Sequence, residues 1–408
     1  MLPPIISLED LARHKIDFGL TEADVRDRQL PQPALTAHLG LPWPPGLAPT
    51  PQPLAVEPSP DDPMPAADVL VVTWTVAEVE ALADVLTPGF DRNSWYRYRH
   101  NFNTHFAPLI RPAAPAQQAK RLGSYMPTKI GNKTVLCVKS ELHLNQDGIR
   151  TGGGTATLPV KDFFRQMIDE VHPSLVITVG TAGATFPSVR STTVQGMQCP
   201  PHELGDVFIT RGAKFRLQQE FKNEAFAHQS FRCTTLTIPT GRLNAAKTLL
   251  AVNADKLTEP DFGPPHKKYT WPLSGLVQGF HNQPDFKIDG VDFPAFHPIL
   301  TTDFFEFGTS SNGLEQEGCG VEMGDAVLGM VVDEMKAQGL PGVPDWLVIR
   351  NASDPQINGD LPDRNNLEVP ASMRRNLNMQ AHWAVWYYET YGYWTSVNSA
   401  IAVWAMTA

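Results

Sequence analysis

The sequence predicts an α/β protein, and three stretches of the chain support this prediction. Residues 175–184, LVITVGTAGA, are apolar and β-branched without polar alternation, which is typical of a strand buried on both faces of a mixed or parallel sheet. Residues 68–74 form a second β-branched run that passes directly into residues 76–86, whose apolar positions have helical spacing. A strand followed at once by a helix indicates the start of an α/β unit.

The central run ends in the small residues Gly180-Thr-Ala-Gly183. Glycines at the carboxyl end of a buried strand allow close approach to the backbone, and α/β sheets bind their ligands at that edge. The spacing is not the G-x-G-x-x-G pattern of dinucleotide-binding loops. A tight turn after a core strand is the alternative interpretation.

The remaining elements follow from the same patterns of apolar spacing and breakers. Further strands are predicted at residues 133–139, 205–210, 232–238, 298–305 and 346–350. Helices are predicted at residues 158–171, 242–254, 323–336 and 371–391, and the apolar residues 394–408 indicate one more packed helix, too short to span a membrane. No internal repeat is visible.

The amino-acid composition predicts that the chain consists of two regions. Residues 1–66 are crowded with proline between positions 41 and 65, which favours an extended N-terminal arm over a second core. Residues 67–408 form the main domain, with insertions at about 87–130 and 239–295. The first insertion is aromatic and could act as a lid.

Composition also excludes some classes of protein. A formal charge of −10 argues against a nucleic-acid partner. Four widely separated cysteines form no C-x-x-C pair, so neither a zinc site nor a disulfide framework is indicated and a cytoplasmic location is expected. The first residues lack the features of a signal peptide, and no membrane association is expected.

Six short motifs carry a resemblance to a known family. They are VAEV at 76–79, ITVGTAG at 177–183, GDVFI at 205–209, DFF at 303–305, VEM at 321–323 and VIRNASD at 348–354. In type and order they resemble the nucleoside phosphorylase and nucleosidase superfamily, most closely the methylthioadenosine/S-adenosylhomocysteine nucleosidases. The resemblance covers residues 68 to about 390. It implies a three-layer α/β/α fold with a mixed central sheet and no metal or organic cofactor.

The resemblance implies two catalytic carboxyls. Asp354 matches the acid that protonates or hydrogen-bonds N7 of the departing purine, a role that makes chemical sense because cleavage of an N-glycosidic bond needs the leaving base neutralised. A capping role at a turn is the alternative for this residue. Glu78 matches the carboxylate that directs the attacking water, and a solvated helix face is the alternative.

The same resemblance implies a set of substrate-binding residues. Phe305 would stack on the purine and Met323 would pack under the ribose, and the alternative for each is a core residue. The other members of the set are Thr181, Gly183, Glu322 and Ser353. The family also commonly forms oligomers, and the aromatic helix with Trp383, Trp386, Tyr387 and Tyr388 could form a homo-oligomer surface or pack within the chain.

One position departs from the family pattern. The second carboxylate of the family's Glu-Met-Glu motif, which binds the ribose 2′- and 3′-hydroxyls, is replaced by Gly324. Asp325 is no automatic substitute, because one step along a helix rotates the side chain by roughly 100°. The departure puts the ribose contact in question.

The function expected from the resemblance is hydrolysis of a purine nucleoside to the free base. In related phosphorylases an arginine that grips phosphate stands where this chain has Thr178, and threonine cannot supply the bidentate geometry of a guanidinium. A phosphate-dependent phosphorylase remains the alternative, with Arg150, Arg211 and Arg216 as other phosphate ligands. A non-catalytic nucleoside-binding protein of the same fold is the third possibility.

Overall fold

The protein is described by a computed structural model that covers residues 39–188, 190–257, 283–357, 359 and 379–408. Thirteen of the seventeen described strands pair into one sheet, and the other four form two small two-stranded sheets. The strands are β1 (Thr50–Pro51), β2 (Val69–Thr73), β3 (Tyr96–Tyr98), β4 (Gly123–Ile130), β5 (Lys133–Ser140), β6 (Arg150–Gly152), β7 (Thr155–Ala156), β8 (Leu175–Ala184), β9 (Thr192–Val194), β10 (Met197–Cys199), β11 (Val207–Thr210), β12 (Gly212–Arg216), β13 (Ser230–Arg232), β14 (Phe286–Ile288), β15 (Ile299–Thr302), β16 (Gly320–Glu322) and β17 (Asp345–Asp354).

The helices alternate with these strands along the chain. The α-helices are α1 (Val76–Leu86), α2 (Pro115–Ala119), α3 (Pro159–Val171), α4 (Thr240–Leu250), α5 (Asp325–Ala337) and α6 (Met379–Thr407). A π-helix at Phe102–Phe106 and 3₁₀ turns at Ala107–Leu109, Ala251–Lys256 and Leu314–Gln316 complete the described helical segments.

Strand β8 lies at the centre of the main sheet, which has thirteen strands. Along its first half β8 is parallel to β2, and along nearly its whole length it is parallel to β17. Its last residues pair antiparallel with β16, whose other neighbour is the parallel strand β15. Since the sheet contains both kinds of pairing it is mixed, as predicted, and the buried run at 175–184 is its central strand.

Helices cover both faces of the sheet, which confirms the three-layer α/β/α prediction. On β17, Arg350 hydrogen-bonds Asp325 at the start of α5, whereas the next residue, Asn351, hydrogen-bonds Ser399 of α6. Successive residues of a strand point to opposite faces, so α5 and α6 flank the sheet on opposite sides. Helices α1 and α4 pack against α6, and α3 packs against α5.

The structure corrects several local predictions. The glycines of β8 lie inside the strand, which continues to Ala184, so they form no turn after it. The strand predicted at 232–238 is wrong, because the described strand there is β13 and ends at Arg232. Strands β4, β12 and β16 were not predicted from the sequence.

The segments flanking the domain also pack against it. β1 pairs with β4, and the Trp43 ring lies 4.9 Å from that of Trp404 on α6. Residues 1–38 lie outside the described residues, and the boundary at residue 66 stays a prediction. Helix α6 joins part of the predicted helix at 371–391 to the predicted C-terminal helix. Among the described residues, no helix has both the length and the apolar character to cross a membrane.

The aromatic residues of the first predicted insertion belong to the core. Trp95, Tyr96, Tyr98 and Phe102 are all buried. Because their rings pack inside the protein, they do not form a lid over the cavity described below. Tyr387 of α6 is also buried, while the side chains of Trp383 and Trp386 lie outside the described part of the chain, so the predicted oligomer surface stays a prediction.

Candidate active site

One cavity lies at the carboxyl ends of the parallel strands β2, β8 and β17, the edge where α/β sheets bind ligands. It brings together all eight site residues predicted from the sequence. These are Glu78, Thr181, Gly183, Phe305, Glu322, Met323, Ser353 and Asp354. The cavity is therefore the candidate active site, and each of its side chains can be traced to the element that positions it.

Glu78 is held by hydrogen bonds to both of its carboxylate oxygens. Oε2 accepts from the hydroxyl of Thr73 at 3.1 Å and from the amides of Trp74 and Thr75 at 3.1 and 2.9 Å. Oε1 accepts from the amide and the hydroxyl of Thr181 at 2.8 and 2.9 Å. Glu78 also closes a capping box with Thr75 at the start of α1. The alternative of a solvated helix face is wrong for this residue.

Arg350 is the cation that faces Glu78, and sequence reasoning did not identify it. Its guanidinium makes two hydrogen bonds to Asp325, at 2.8 and 2.6 Å, and lies 3.6 Å from Glu78 Oε1. Burial acts to raise the pKa of Glu78, but the Arg350 charge and the donated hydrogen bonds outweigh burial and hold that pKa below its usual value. Glu78 is therefore ionised at neutral pH.

Asp354 has a different environment. Its Oδ1 accepts a hydrogen bond from Ser353 Oγ at 3.0 Å, whereas Oδ2 is buried without a hydrogen-bond partner. Burial raises the pKa of Asp354 to about 7, although the Ser353 hydrogen bond acts in the opposite direction. An appreciable fraction of this carboxyl is therefore protonated at neutral pH and can donate a proton.

A β-bulge aims Asp354 into the cavity. The register of β17 against β8 shifts between Ala352, which pairs with Ala182, and Asp354, which pairs with Gly183. The extra residue is Ser353, so two consecutive side chains of β17 line the same cavity. Bulges of this kind re-aim side chains beside active sites.

The two glycines of β8 leave room for the two carboxyls. A Cβ at Gly180 would lie 2.4 Å from Glu78 Oε1, and a Cβ at Gly183 would lie 2.9 Å from Asp354 Oδ2. The close approach predicted for these glycines is thus made by the protein's own side chains. Glu78 binds Thr181 and Asp354 lies against Gly183, two residues further on, so the carboxyls meet β8 about 7 Å apart.

Glu322 lines the cavity but is bound to the start of α5. Its Oε2 accepts from the amide of Gly324 at 2.5 Å, and its Oε1 accepts from the amide of Asp325 at 3.0 Å and from the hydroxyl of Thr301. Burial and the neighbouring Asp325 carboxylate raise the pKa of Glu322. Glu322 thus stabilises the first turn of the helix that follows Met323.

Phe305 is followed by Glu306, a further carboxyl of the cavity that the sequence did not single out. Glu306 lines the cavity, its Oε1 pairs with Arg216 at 3.0 Å, and its Oε2 is buried without a hydrogen-bond partner. Burial raises the pKa of Glu306 to about 7 despite the Arg216 charge. A carboxyl with an unpaired oxygen can exchange hydrogen bonds with a polar ligand in the cavity.

His143 adds an uncharged imidazole to the cavity. Its Nε2 is buried without a hydrogen-bond partner. Burial, together with the Lys139 ammonium, lowers the pKa of His143 to about 4. Among the described residues that line the cavity, Arg350 is therefore the only side chain charged positively at neutral pH.

None of the three arginines named as other phosphate ligands lines the cavity. Arg150 pairs with Glu220 at 2.6 Å and Arg211 with Asp289 at 2.9 Å, whereas Arg216 pairs with Glu306, a residue of the cavity, at 3.0 Å. Thr178 is fully buried within β8 and does not line the cavity either. Thr178 therefore contributes to packing within the sheet and does not contact a ligand in this cavity.

Comparison with known proteins identifies no sequence relative. No protein-family model matches the sequence, and no curated protein matches it. Solved structures do match. One is a 5′-methylthioadenosine/S-adenosylhomocysteine nucleosidase from Neisseria meningitidis in complex with methylthio-immucillin-A, at 13% identity and a TM-score of 0.39, covering 83% of this chain and 97% of that chain.

Two further structures have similar values. The corresponding nucleosidase from Colwellia psychrerythraea 34H in complex with adenine is 14% identical with a TM-score of 0.41, covering 84% of this chain and 95% of that chain. A futalosine hydrolase mutant from Helicobacter pylori is 11% identical with a TM-score of 0.38, covering 83% of this chain and 97% of that chain. These similar structures are nucleosidases and a hydrolase, and the likeness is distant. The chemistry proposed below therefore rests on the cavity of this chain.

Proposed function

We propose that this protein hydrolyses the N-glycosidic bond of a purine nucleoside and releases the free base. The observation that carries the proposal is the state of Asp354. Its Oδ2 is buried, faces no hydrogen-bond partner, and belongs to a carboxyl whose pKa burial raises to about 7. Such a group can protonate a departing base at neutral pH.

Glu78 would act on the other side of the sugar. Ionised Glu78 meets β8 about 7 Å from the contact of Asp354, which is room for a sugar ring between the two. A carboxylate there stabilises the positive charge that develops on the sugar. Phe305 would stack on the purine, and Met323 would pack under the sugar.

Water is favoured over phosphate as the nucleophile by the charge of the cavity. Four carboxyl groups line it, from Glu78, Glu306, Glu322 and Asp354. Its one cation, among the described lining residues, is Arg350, which Asp325 already binds through two hydrogen bonds. A phosphate dianion would therefore meet the ionised Glu78 carboxylate and, among the described lining residues, no unpaired cation.

The test is release of free purine, followed by chromatography, from methylthioadenosine, adenosine, 2′-deoxyadenosine and inosine, with and without phosphate. We expect release without phosphate in the wild type and its loss in Asp354→Asn. The matched control is Asp169→Asn, which removes an exposed carboxylate paired with Arg165 on α3. Strict dependence on phosphate would contradict the hydrolase and support a phosphorylase.

One observation favours a second candidate, a non-catalytic nucleoside-binding protein. Both oxygens of Glu78 are already occupied by five donated hydrogen bonds, which leaves little capacity to bind and activate water. In that case nucleoside binding measured by calorimetry would persist, and no base would be released by the wild type or by Asp354→Asn.

A further inference from the structure

The cavity has an apolar floor where Trp74, Met323 and Gly324 meet. A Cβ at position 324 would lie 3.3 Å from Cζ2 and 3.6 Å from Cε2 of Trp74. The indole thus occupies the space that any longer side chain at position 324 would enter. The first carbon of any side chain at this position would already be in tight contact with the indole.

The indole itself offers no free polar atom to a ligand. Its Nε1 donates to the carbonyl of Leu142 at 3.1 Å, and the Arg350 guanidinium lies over its ring at 5.0 Å. What Trp74 presents to the cavity is therefore carbon. Met323, the next residue of the floor, contributes a thioether that accepts hydrogen bonds only weakly.

The two carboxyls nearest this floor are already saturated. The Glu322 carboxyl accepts from the amides of Gly324 and Asp325 and from the hydroxyl of Thr301, and the Arg350 guanidinium lies 3.4 Å from its Oε2. Glu78 accepts five hydrogen bonds, more than the four lone-pair sites a carboxylate usually offers. Neither is available to accept a hydrogen bond from a sugar hydroxyl.

From these contacts we infer that the sugar bound here carries a methylene group, and no hydroxyl, where it meets this floor, as in a 2′-deoxyribonucleoside. A sugar hydroxyl in contact with this floor loses its hydrogen bonds to water and finds no acceptor there, whereas a methylene group packs against the floor without that loss. The inference rests on the proposed function, because it places the sugar between Asp354 and Glu78.

The test compares kcat/KM for 2′-deoxyadenosine with that for adenosine in several variants. The wild type is expected to favour the deoxynucleoside by at least about tenfold, the usual cost of burying an unpaired hydroxyl. The N-glycosidic bonds of the two nucleosides also break at different intrinsic rates. That difference cancels when the ratio of the two kcat/KM values is compared between variants. The double variant Trp74→Ala/Gly324→Glu clears the indole and adds a carboxylate, and its ratio is expected to move toward adenosine by about tenfold.

Two controls separate a local effect from a general one. Gly241→Glu makes the same substitution at an exposed glycine of α4 with open space around it, and should leave the ratio unchanged. His143→Phe removes the unpaired Nε2 of the same cavity. An adenosine preference in the wild type, lost in His143→Phe, would overturn the inference by showing that the imidazole binds a ribose hydroxyl.

Binding measurements distinguish failure of this inference from failure of the proposed function. Dissociation constants for both nucleosides are measured by calorimetry on Asp354→Asn and on the wild type, so the comparison also stands if the double variant does not fold. Base release with adenosine preferred overturns only the sugar inference. Binding without base release overturns the hydrolase, and tighter binding of the deoxynucleoside then still supports the sugar inference. If the protein binds neither nucleoside, the hydrolase proposal and the sugar inference are both overturned.

Discussion

Asp354 lies against the backbone of Gly183, so close that a Cβ at position 183 would be 2.9 Å from its Oδ2. A carboxyl group that rests on a bare strand is positioned by main-chain atoms, which move less than side chains. The geometry explains why the small residues of the central strand matter: they determine where the proposed acid stands. The same contact leads to the first prediction, which concerns a substitution at Gly183.

Gly183→Ala should displace the Asp354 carboxyl. The added methyl group cannot share space with Oδ2, and a displacement of this kind costs about a hundredfold in kcat when the group acts directly on the reaction. Release of purine base measures the effect. Gly241→Ala, at an open position of α4, is the control and should change neither rate nor melting temperature substantially. Full activity of Gly183→Ala would mean that the position of Asp354 is unimportant.

The rate should depend on the protonation of Asp354. Because burial raises the pKa of Asp354 to about 7 and the proposed acid is active when protonated, kcat/KM should fall as the pH rises through about 7. A pH profile of base release from pH 5 to pH 9 tests this. In Asp354→Asn the residual activity should lack that descending limb, and a limb that persists unchanged would assign it to another group such as Glu306.

Asp354→Asn should also change the dependence of stability on pH. The pKa of Asp354 is about 7 in the folded state and close to 3.9 in an unfolded chain, so the folded protein binds this proton more tightly. The contribution to stability is complete below about pH 4 and is lost as the pH rises toward 7. Asparagine has no such loss. The melting temperature of the variant relative to wild type should therefore increase by a few degrees between pH 5 and pH 8.

Glu78→Gln should reduce both stability and activity. The amide group would turn a donor toward the backbone and hydroxyl donors that now bind this carboxylate, which costs about 1–3 kcal/mol. Glu80→Gln on the same helix is the matched control, because that carboxylate is partly exposed and pairs with Arg92. Thermal unfolding and base release are compared for both variants. Equal behaviour of the two would remove any special role from Glu78.

Arg350→Met should be among the most damaging single changes. It leaves Asp325 and Glu78 buried without their cation, and loss of one partner of a buried ion pair costs about 3–5 kcal/mol. Adding Asp325→Asn removes one of the stranded charges. The double variant should therefore unfold at a higher denaturant concentration than Arg350→Met alone. Additive effects would show that the two side chains do not act as a pair.

The sequence was informative where a local pattern decides the structure. The run 175–184 lacks polar alternation because β8 is covered on both faces, and that pattern is visible without coordinates. The capping box of Thr75 and Glu78 was visible too, as T-x-x-E before an apolar helix, and would have predicted a bound Glu78 in place of a solvated one.

Contacts between distant segments could not be predicted in the same way. Arg350 lies inside β17, whereas its partner Asp325 is the first residue of α5, which precedes that strand in the chain. The strand wrongly predicted at 232–238 is β-branched, but its Cys233 and Thr235 bind Asp345 through their side chains, and the described backbone forms no ladder there. Similarly, the sequence gives no sign that position 324 lies against the indole of Trp74, far away in the chain.

The bulge at Ser353 has a consequence for how this chain tolerates insertions and deletions. Ala352 pairs with Ala182 and Asp354 with Gly183, so deleting Ser353 would restore regular pairing with β8 and leave the aspartate opposite its present partner. Such a deletion would keep the hydrophobic ladder intact but would remove the hydroxyl that now donates to the aspartate. A protein engineer who shortens or grafts this strand should therefore keep the extra residue, because its side chain hydrogen-bonds the carboxyl that the strand presents to the cavity.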